Sequence, residues 1–324
     1  ERDDFVFDNY GSYMAKHPAT KHAILRKGED EKGTSWSCSH GVSRWYKDCG
    51  CHTGGEPGWN QKWRTGLRDA LNNLGDKIDS IFNNEVDRIF SGNLDSHELL
   101  KKAGTVFCGK VEMKKFVEEL QVNYGFSDQD KTQLSHLLTG MKYKHFSFTS
   151  CGWFFNEISG IEPRQDIKYA IHAITLFQQF TREELMIPFL NDLKKAKSNI
   201  REMGDGMLIA QEEIKGLDGD VEAAVYFYMN TSMATPENWK RRYGIFYLKN
   251  ISTEDGKEVQ TTVSDTSTDE EFSFRILPAL TIDKGINLYV TKITQSGRRP
   301  EIYHITNSDI PLRVLDEANR WVDE

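Results

Sequence analysis

At about Gly216 the apolar residues change their spacing, and that change restricts the chain to a fold in which helices come first and strands second. Upstream, Trp63, Leu67, Ala70, Leu71, Leu74, Ile78, Ile81, Phe82, Ile89 and Phe90 recur three and four positions apart. That spacing places them on one face of a long helix, which Ser91-Gly92-Asn93 ends. Gly75 lies in the face, where it costs ~1 kcal/mol against Ala and marks a kink or a close approach. Further helices are predicted around Val111 to Tyr124, after the N-cap of Ser127-Asp-Gln-Asp, and from Glu162-Pro163 through Ile167, Ile171, Ile174 and Phe177. Thr181-Arg-Glu-Glu184 has the spacing of a capping box, and Pro188 should kink or interrupt the helix it opens. Ala23-Ile-Leu25 reads as a short strand, Tyr143 to Ser150 alternates briefly, and Gly204-Asp-Gly206 reads as a helix-ending turn. Downstream, β-prone runs lie at Tyr243 to Lys249, Glu258 to Val263, Phe272 to Ile276, Ile286 to Ile293 and Ile302 to Thr306. Turn residues separate them, which predicts an antiparallel sheet of about five strands closed by a helix from Pro311 to Trp321.

A length of 324 residues suits roughly two domains, and 38% hydrophobic residues suffice for packed cores. Lys and Arg number 41 against 49 Asp and Glu, a formal charge of −8, which disfavours nucleic acid as a partner. No apolar run approaches the ~18 residues of a membrane helix. Five cysteines, an odd number, point to a reducing compartment such as the cytoplasm, or to a metal site, before a disulfide framework. Glu1-Arg-Asp-Asp-Phe reads as the interior of a longer chain, whose N-terminal part would then be missing.

The stretch from Thr34 to Trp63 obeys neither period. It carries Trp36, Trp45, Trp59 and Trp63, four of the seven tryptophans, with three of the five cysteines and glycines at 54, 55 and 58. Loops that concentrate aromatics, polar groups and glycine are where binding chemistry sits. Its segments Thr34-Ser-Trp-Ser-Cys38, His40-Gly-Val42, Arg44-Trp45, Asp48-Cys-Gly-Cys51 and Gly58-Trp-Asn-Gln61 resemble the late part of certain glycoside hydrolase family 57 proteins. In these a domain of unknown function, number 3536, follows the catalytic barrel. Ser150-Cys-Gly-Trp-Phe-Phe155 and Ile158-Ser-Gly-Ile-Glu-Pro163 are similar to that domain's internal signature. The matching blocks lie between about His17 and Ala170.

The resemblance implies an α+β chain: residues 1–61 ending a (β/α) barrel, 62–216 a helical domain that follows it, and 217–324 a small antiparallel β domain. It implies activity on α-glucan or oligosaccharide, by hydrolysis or transfer, in a retaining enzyme whose two carboxylates stand about 5–5.5 Å apart. The motifs that carry those carboxylates are not found in this sequence. Asp48 and Glu56 earn no catalytic role by being near, so no catalytic residue is assigned. The chain would contribute cleft residues to a catalytic domain upstream. The alternative, of another class, is a non-catalytic carbohydrate-binding or structural module.

Flat indoles suit the apolar faces of sugar rings, and amides or indole N–H groups bond hydroxyls. Ser35, Trp36, His40, Trp45, Trp59 and Asn60 are therefore the candidate glucan subsite, against the plainer reading that Trp45 and Trp63 pack the first helix. Cys38, His40, Cys49, Cys51 and His52 are all soft or borderline ligands within one loop, with Cys151 in the second block. Three thiolates and an imidazole make a tetrahedral zinc site, and Cys38, Cys49, Cys51 and His52 are the set singled out. The competing readings are no cofactor with buried free thiols, or a Cys38–Cys49 disulfide. Cys49-Gly-Cys51 is tighter than the usual knuckle spacing.

Overall fold

The computed structural model describes residues 7–28, 31–36, 38–51, 54–214, 219–254, 258–268, 270–278, 286–293, 300–311 and 314–315. Among them are nine α-helices followed by one six-stranded antiparallel sheet, the α+β order that the change of period requires.

The first segment holds α1 (Tyr10–Lys16), capped by the Asn9 side chain, which accepts from the Ser12 N–H and buries no residue. Residues 23–25 form no strand, because no partner backbone lies beside them; Ile24 and Leu25 stay 96% and 86% exposed. No strand of any kind forms among the described residues of 7–61.

The helical unit is built on α2 (Trp63–Phe90), whose buried face carries the predicted three- and four-residue repeat from Trp63 to Phe90. Ser91 at φ 49° and Gly92 at φ 76° turn the chain out of it. Gly75 marks a close approach: a Cβ there would stand 3.2 Å from Lys144 Cε. Around α2 pack α3 (Ser96–Phe107), α4 (Met113–Tyr124), α5 (Asp128–Phe146), α6 (Ile161–Phe177), α7 (Met186–Leu193) and α8 (Gly206–Ile214).

Local chemistry explains where these helices depart from the predicted pattern. The sequence reading passed over α3, yet Asp95 accepts from the N–H groups of His97 and Glu98 and so starts it. The alternation from Tyr143 does not become a strand, because α5, begun by the reciprocal Ser127–Asp130 capping box, runs on to Phe146. Pro188 does not break α7. It lies in the first turn, where no helical partner awaits an N–H. Gly204, at φ 67°, closes the short 3-10 turn Arg201–Met203 as its spacing predicts, and Asp205 then opens α8 by accepting from the N–H groups of Met207 and Leu208.

The second unit begins with α9 (Gly219–Met233), which carries Tyr226 and Phe227 into a separate core. That core lies under the sheet β1 (Arg242–Tyr243), β2 (Phe246–Glu254), β3 (Glu258–Asp265), β4 (Glu271–Pro278), β5 (Asn287–Ile293) and β6 (Glu301–Thr306), a meander in chain order. The five predicted runs are β2 to β6; β1 adds a two-residue edge. Register brings Thr261 opposite Phe274, Ile276 opposite Val290 and Leu288 opposite Ile305, so alternate residues face α9. Of the predicted closing helix, Pro311 and the helical pair Val314–Leu315 are described, and the remainder lies outside the described residues. The units meet where Thr139 on α5 donates to the Ser267 carbonyl at 2.9 Å and His136 Nε2 meets the Glu270 carboxylate at 2.8 Å. No helix among the described residues is long and apolar enough to cross a membrane.

Candidate metal centre

The Trp- and Cys-rich stretch winds back on itself above the N-terminus of α2. Two glycines make the path feasible. Gly41, at φ 66°, passes so close to the Gly33 carbonyl that a Cβ would stand 2.7 Å from its oxygen. Gly50, at φ 74°, lies between Cys49 and Cys51, and its N–H donates to Asp48 Oδ1 at 2.9 Å. A left-handed residue between the two cysteines lets both thiols turn toward Cys38.

The outcome is a cluster of four donor atoms from Cys38, His40, Cys49 and Cys51, all within 4.8 Å of one another. Cys38 Sγ lies 3.8 Å from Cys49 Sγ, 3.6 Å from Cys51 Sγ and 3.7 Å from His40 Nδ1, and Cys51 Sγ lies 3.3 Å from His40 Nδ1. Metal–sulfur and metal–nitrogen bonds of zinc length set tetrahedral edges of about 3.8 Å between sulfurs and about 3.6 Å from sulfur to nitrogen. The four atoms could therefore hold a metal ion. All five cysteines are free thiols, so the expected alternative of a Cys38–Cys49 disulfide is not formed.

Crowding sets the proton affinities. The Cys51 thiol is pushed up to about 11 by its hydrogen bond with Cys38, then by desolvation and by Cys49. For Cys49 desolvation pushes upward, but the Cys51 N–H, the neighbouring thiols and the Arg64 charge outweigh it and bring the pKa below the ordinary value. Three thiols packed this closely resist full ionisation unless a cation shares the site.

The two sequence blocks form one body. Arg44 Nη2 donates to the Phe154 carbonyl at 3.2 Å and Arg64 Nη2 to the Phe155 carbonyl at 3.1 Å. Trp63 Nε1 donates to the Asn156 carbonyl at 3.1 Å. Asn199 Nδ2 bridges the Asn60 and Asn156 carbonyls at 3.0 and 3.1 Å, while its Oδ1 accepts from the Asn60 N–H. Glu157 anchors the far side by accepting from Ser198 Oγ and the Asn199 N–H at 2.6 and 2.8 Å.

Of the predicted ligands, Cys38, Cys49 and Cys51 converge and His52 lies outside the described residues. The described imidazole is that of His40, which the sequence reading had also placed among the glucan contacts. Cys151 is exposed and stands apart from the cluster. The remaining candidate glucan contacts differ in exposure and in what they touch. Trp36 is 97% exposed, Trp45 packs partly buried against the helical core, and the Trp59 ring lies over Gly55. Asn60 caps its own turn by accepting from the Lys62 N–H. Ser35 is half-buried. Trp63 is core, 1% exposed, as the plainer reading had it.

Residues 59–269 match the family described as domain of unknown function 3536, well over half of the chain. The chain belongs to that family. The match starts at Trp59 and runs past Ala170 to the β3–β4 connection, so it takes in the helical core and the α9 to β3 part of the second, beyond the end suggested by the resembling blocks. The cluster of Cys38 to Cys51 precedes the family's first matched residue. No curated protein and no solved structure matches the chain.

The sequence reading also missed Asp166, on α6 beneath the same body. It is 2% exposed and its Oδ2 has no partner. Burial pushes its pKa up to about 8, against the pull of Arg68. Its position, one turn below Pro163 in helical text, gives no sign of this.

Proposed function

We propose that the chain is a non-catalytic module organised by zinc, in which Cys38, His40, Cys49 and Cys51 close a structural site that holds the Trp-rich segment against the head of α2. The observation that carries this reading is the convergence of four donor atoms within 4.8 Å of one another, four of whose separations, 3.3 to 3.8 Å, lie near the edges of a zinc tetrahedron. Four protein ligands leave no open position for substrate or water, which distinguishes a structural zinc from a catalytic one. Metal analysis of the purified chain tests it. One zinc per chain is expected, reduced to a small fraction in Cys51→Ser; a chain that refolds and carries no stoichiometric metal refutes it.

A second, wider reading sets this module beside a family-57-like catalytic domain, where it contributes to a cleft for α-glucan. It is supported by the resemblance of the two blocks and by the Trp36 indole, which is open to solvent two residues before a ligand cysteine. An exposed indole on a metal-held loop can stack on a sugar ring. Trp36→Ala should then weaken binding of a soluble α-glucan several-fold with zinc content unchanged. Equal glucan affinity in the two proteins dismisses this wider reading and leaves the metal centre untouched.

A further inference from the structure

Beside the last turns of α9 the inner face of the sheet opens into a cavity of about 370 Å³, within the range of about 300–1,000 Å³ usual for small-molecule sites. Its floor is apolar, with Ile251 on β2, Val259 on β3 and Pro278 at the end of β4. Register sets Val259 between Thr253 and the buried Ile276, so the floor continues the face that packs on α9. Thr231 and Ser232 form one wall with Tyr228, and Trp239 forms another. The indole is fixed in place. Its Nε1 donates to the Ala234 carbonyl at 3.2 Å, and the buried Asn230 accepts from the N–H of the next residue, Lys240, at 2.7 Å.

Hydrogen bonds already made inside the protein decide what this lining can offer. Thr231 Oγ1 donates to the Phe227 carbonyl at 2.8 Å, and Ser232 Oγ to the Tyr228 carbonyl at 2.7 Å. With their protons committed to the helix, these oxygens can only accept from a ligand. The Trp239 N–H is committed too, which leaves its ring as an apolar surface. None of the described lining residues carries a charge. A cavity of similar size on the helical unit is the opposite case: Arg88 there donates to Glu85 and Asp130, each at 2.7 Å, and the charges close on one another. An ion entering beside α9 would lose its water against a lining with no countercharge, so the ligand is uncharged. It needs a flat apolar face for the aromatic rings and the floor, and donors at its edge for Thr231 and Ser232. A sugar ring, with hydroxyls all around its rim, would press several of them unpaired against Ile251, Val259 and Pro278. We infer that this cavity binds a small uncharged heteroaromatic ring bearing N–H donors, of the kind found in a nucleobase or its nucleoside. The cavity shares no residue with the metal centre and stands apart from that reading.

Isothermal titration of the whole chain with adenine and with adenosine tests it. Both should bind, one per chain; equal affinities place the base alone in the cavity, and a tighter adenosine adds the ribose. Thr231→Val keeps the shape, removes one acceptor and should weaken both roughly 3- to 10-fold, the usual worth of a hydrogen bond. Trp239→Leu removes the stacking surface and should weaken them roughly 10-fold. Adenosine monophosphate should bind no more tightly than adenosine, and methyl glucoside should not bind. Helical circular dichroism establishes that each variant is folded; where Trp239→Leu is not, Thr231→Val carries the test. No binding of adenine or adenosine at the limit of their solubility overturns the inference, as does tighter binding of the monophosphate or binding of the glucoside in their place. Affinity undiminished in the folded variants puts the purine elsewhere and overturns it equally. A chelator that empties the metal centre should leave these affinities unchanged, which keeps the two readings separable.

Discussion

Asp166 ties the stability of the chain to pH. Its carboxyl is neutral up to about 8 in the folded protein and ionises near 3.8 when exposed, because burial outweighs the attraction of Arg68. The folded state therefore binds the proton more tightly, so the contribution is complete below the unfolded value and is lost as pH rises through the folded one. Between those limits the loss approaches about 1.4 kcal/mol per pH unit. Asp166→Asn keeps the shape and removes the titration. Its melting temperature should vary less between pH 5 and pH 8 than that of the parent, which should drop; parallel profiles contradict the assignment. The neighbouring Gly152 permits the arrangement, since a Cβ there would fall 1.9 Å from Asp166 Oδ2. The metal-ligand residues were legible in a different way. Cys38, His40, Cys49 and Cys51 are chemically conspicuous wherever they occur, and the chain itself shows them within fourteen positions. Asp166 is conspicuous only once its surroundings are known, because nothing adjacent in sequence removes its water.

Elements were readable in proportion to their length. A helix of 28 residues such as α2 repeats its apolar face enough times to be unmistakable, whereas α3 buries only Leu99 and Ala103 and leaves little pattern to find. Its cap, Asp95, was the available signal. Gly204 ends a short helical turn as expected, whereas Gly206 begins α8 and Pro188 lies in the first turn of α7, since each residue type serves a helix start as well as a stop. The close approaches along α2 were beyond any pattern. At Gly66 a Cβ would stand 2.6 Å from the Ala196 backbone nitrogen, so the helix lies directly on the turn that follows α7. The strands were found because turn residues punctuate them and register follows from alternation, with a bulge between Leu248 and Asn250 as the one departure.

At the scale of the molecule, two cores share one chain. The first takes in Trp63 to Ala210 and the second Val221 to Val314, and of the Trp-rich segment before Trp63 only Trp45 packs on a core among the described residues, against the first. Removing the metal should therefore loosen that segment and leave the helices folded. With chelator, trypsin is expected to cut after Lys47 and Lys62, both exposed, while the helical circular dichroism persists. Cleavage at equal rates with and without chelator contradicts the organising role of the ion. Separately, the pairing of His136 with Glu270 and of Thr139 with Ser267 shows how the units are joined, by polar contacts between α5 and the β3–β4 connection. These residues lie more than a hundred positions apart, so their meeting could not be read in advance.

The sequence alone determined the order of helices before strands, because the spacing of apolar residues is a local consequence of backbone period. It also determined which side chains are chemically able to hold a metal. Only the tertiary structure decided that three thiols and His40 converge, that Trp63 is sealed while Trp36 faces solvent, and that Arg44 and Arg64 are buried. Those outcomes depend on where distant segments come to rest, and burial, charge and ligand geometry are properties of that meeting.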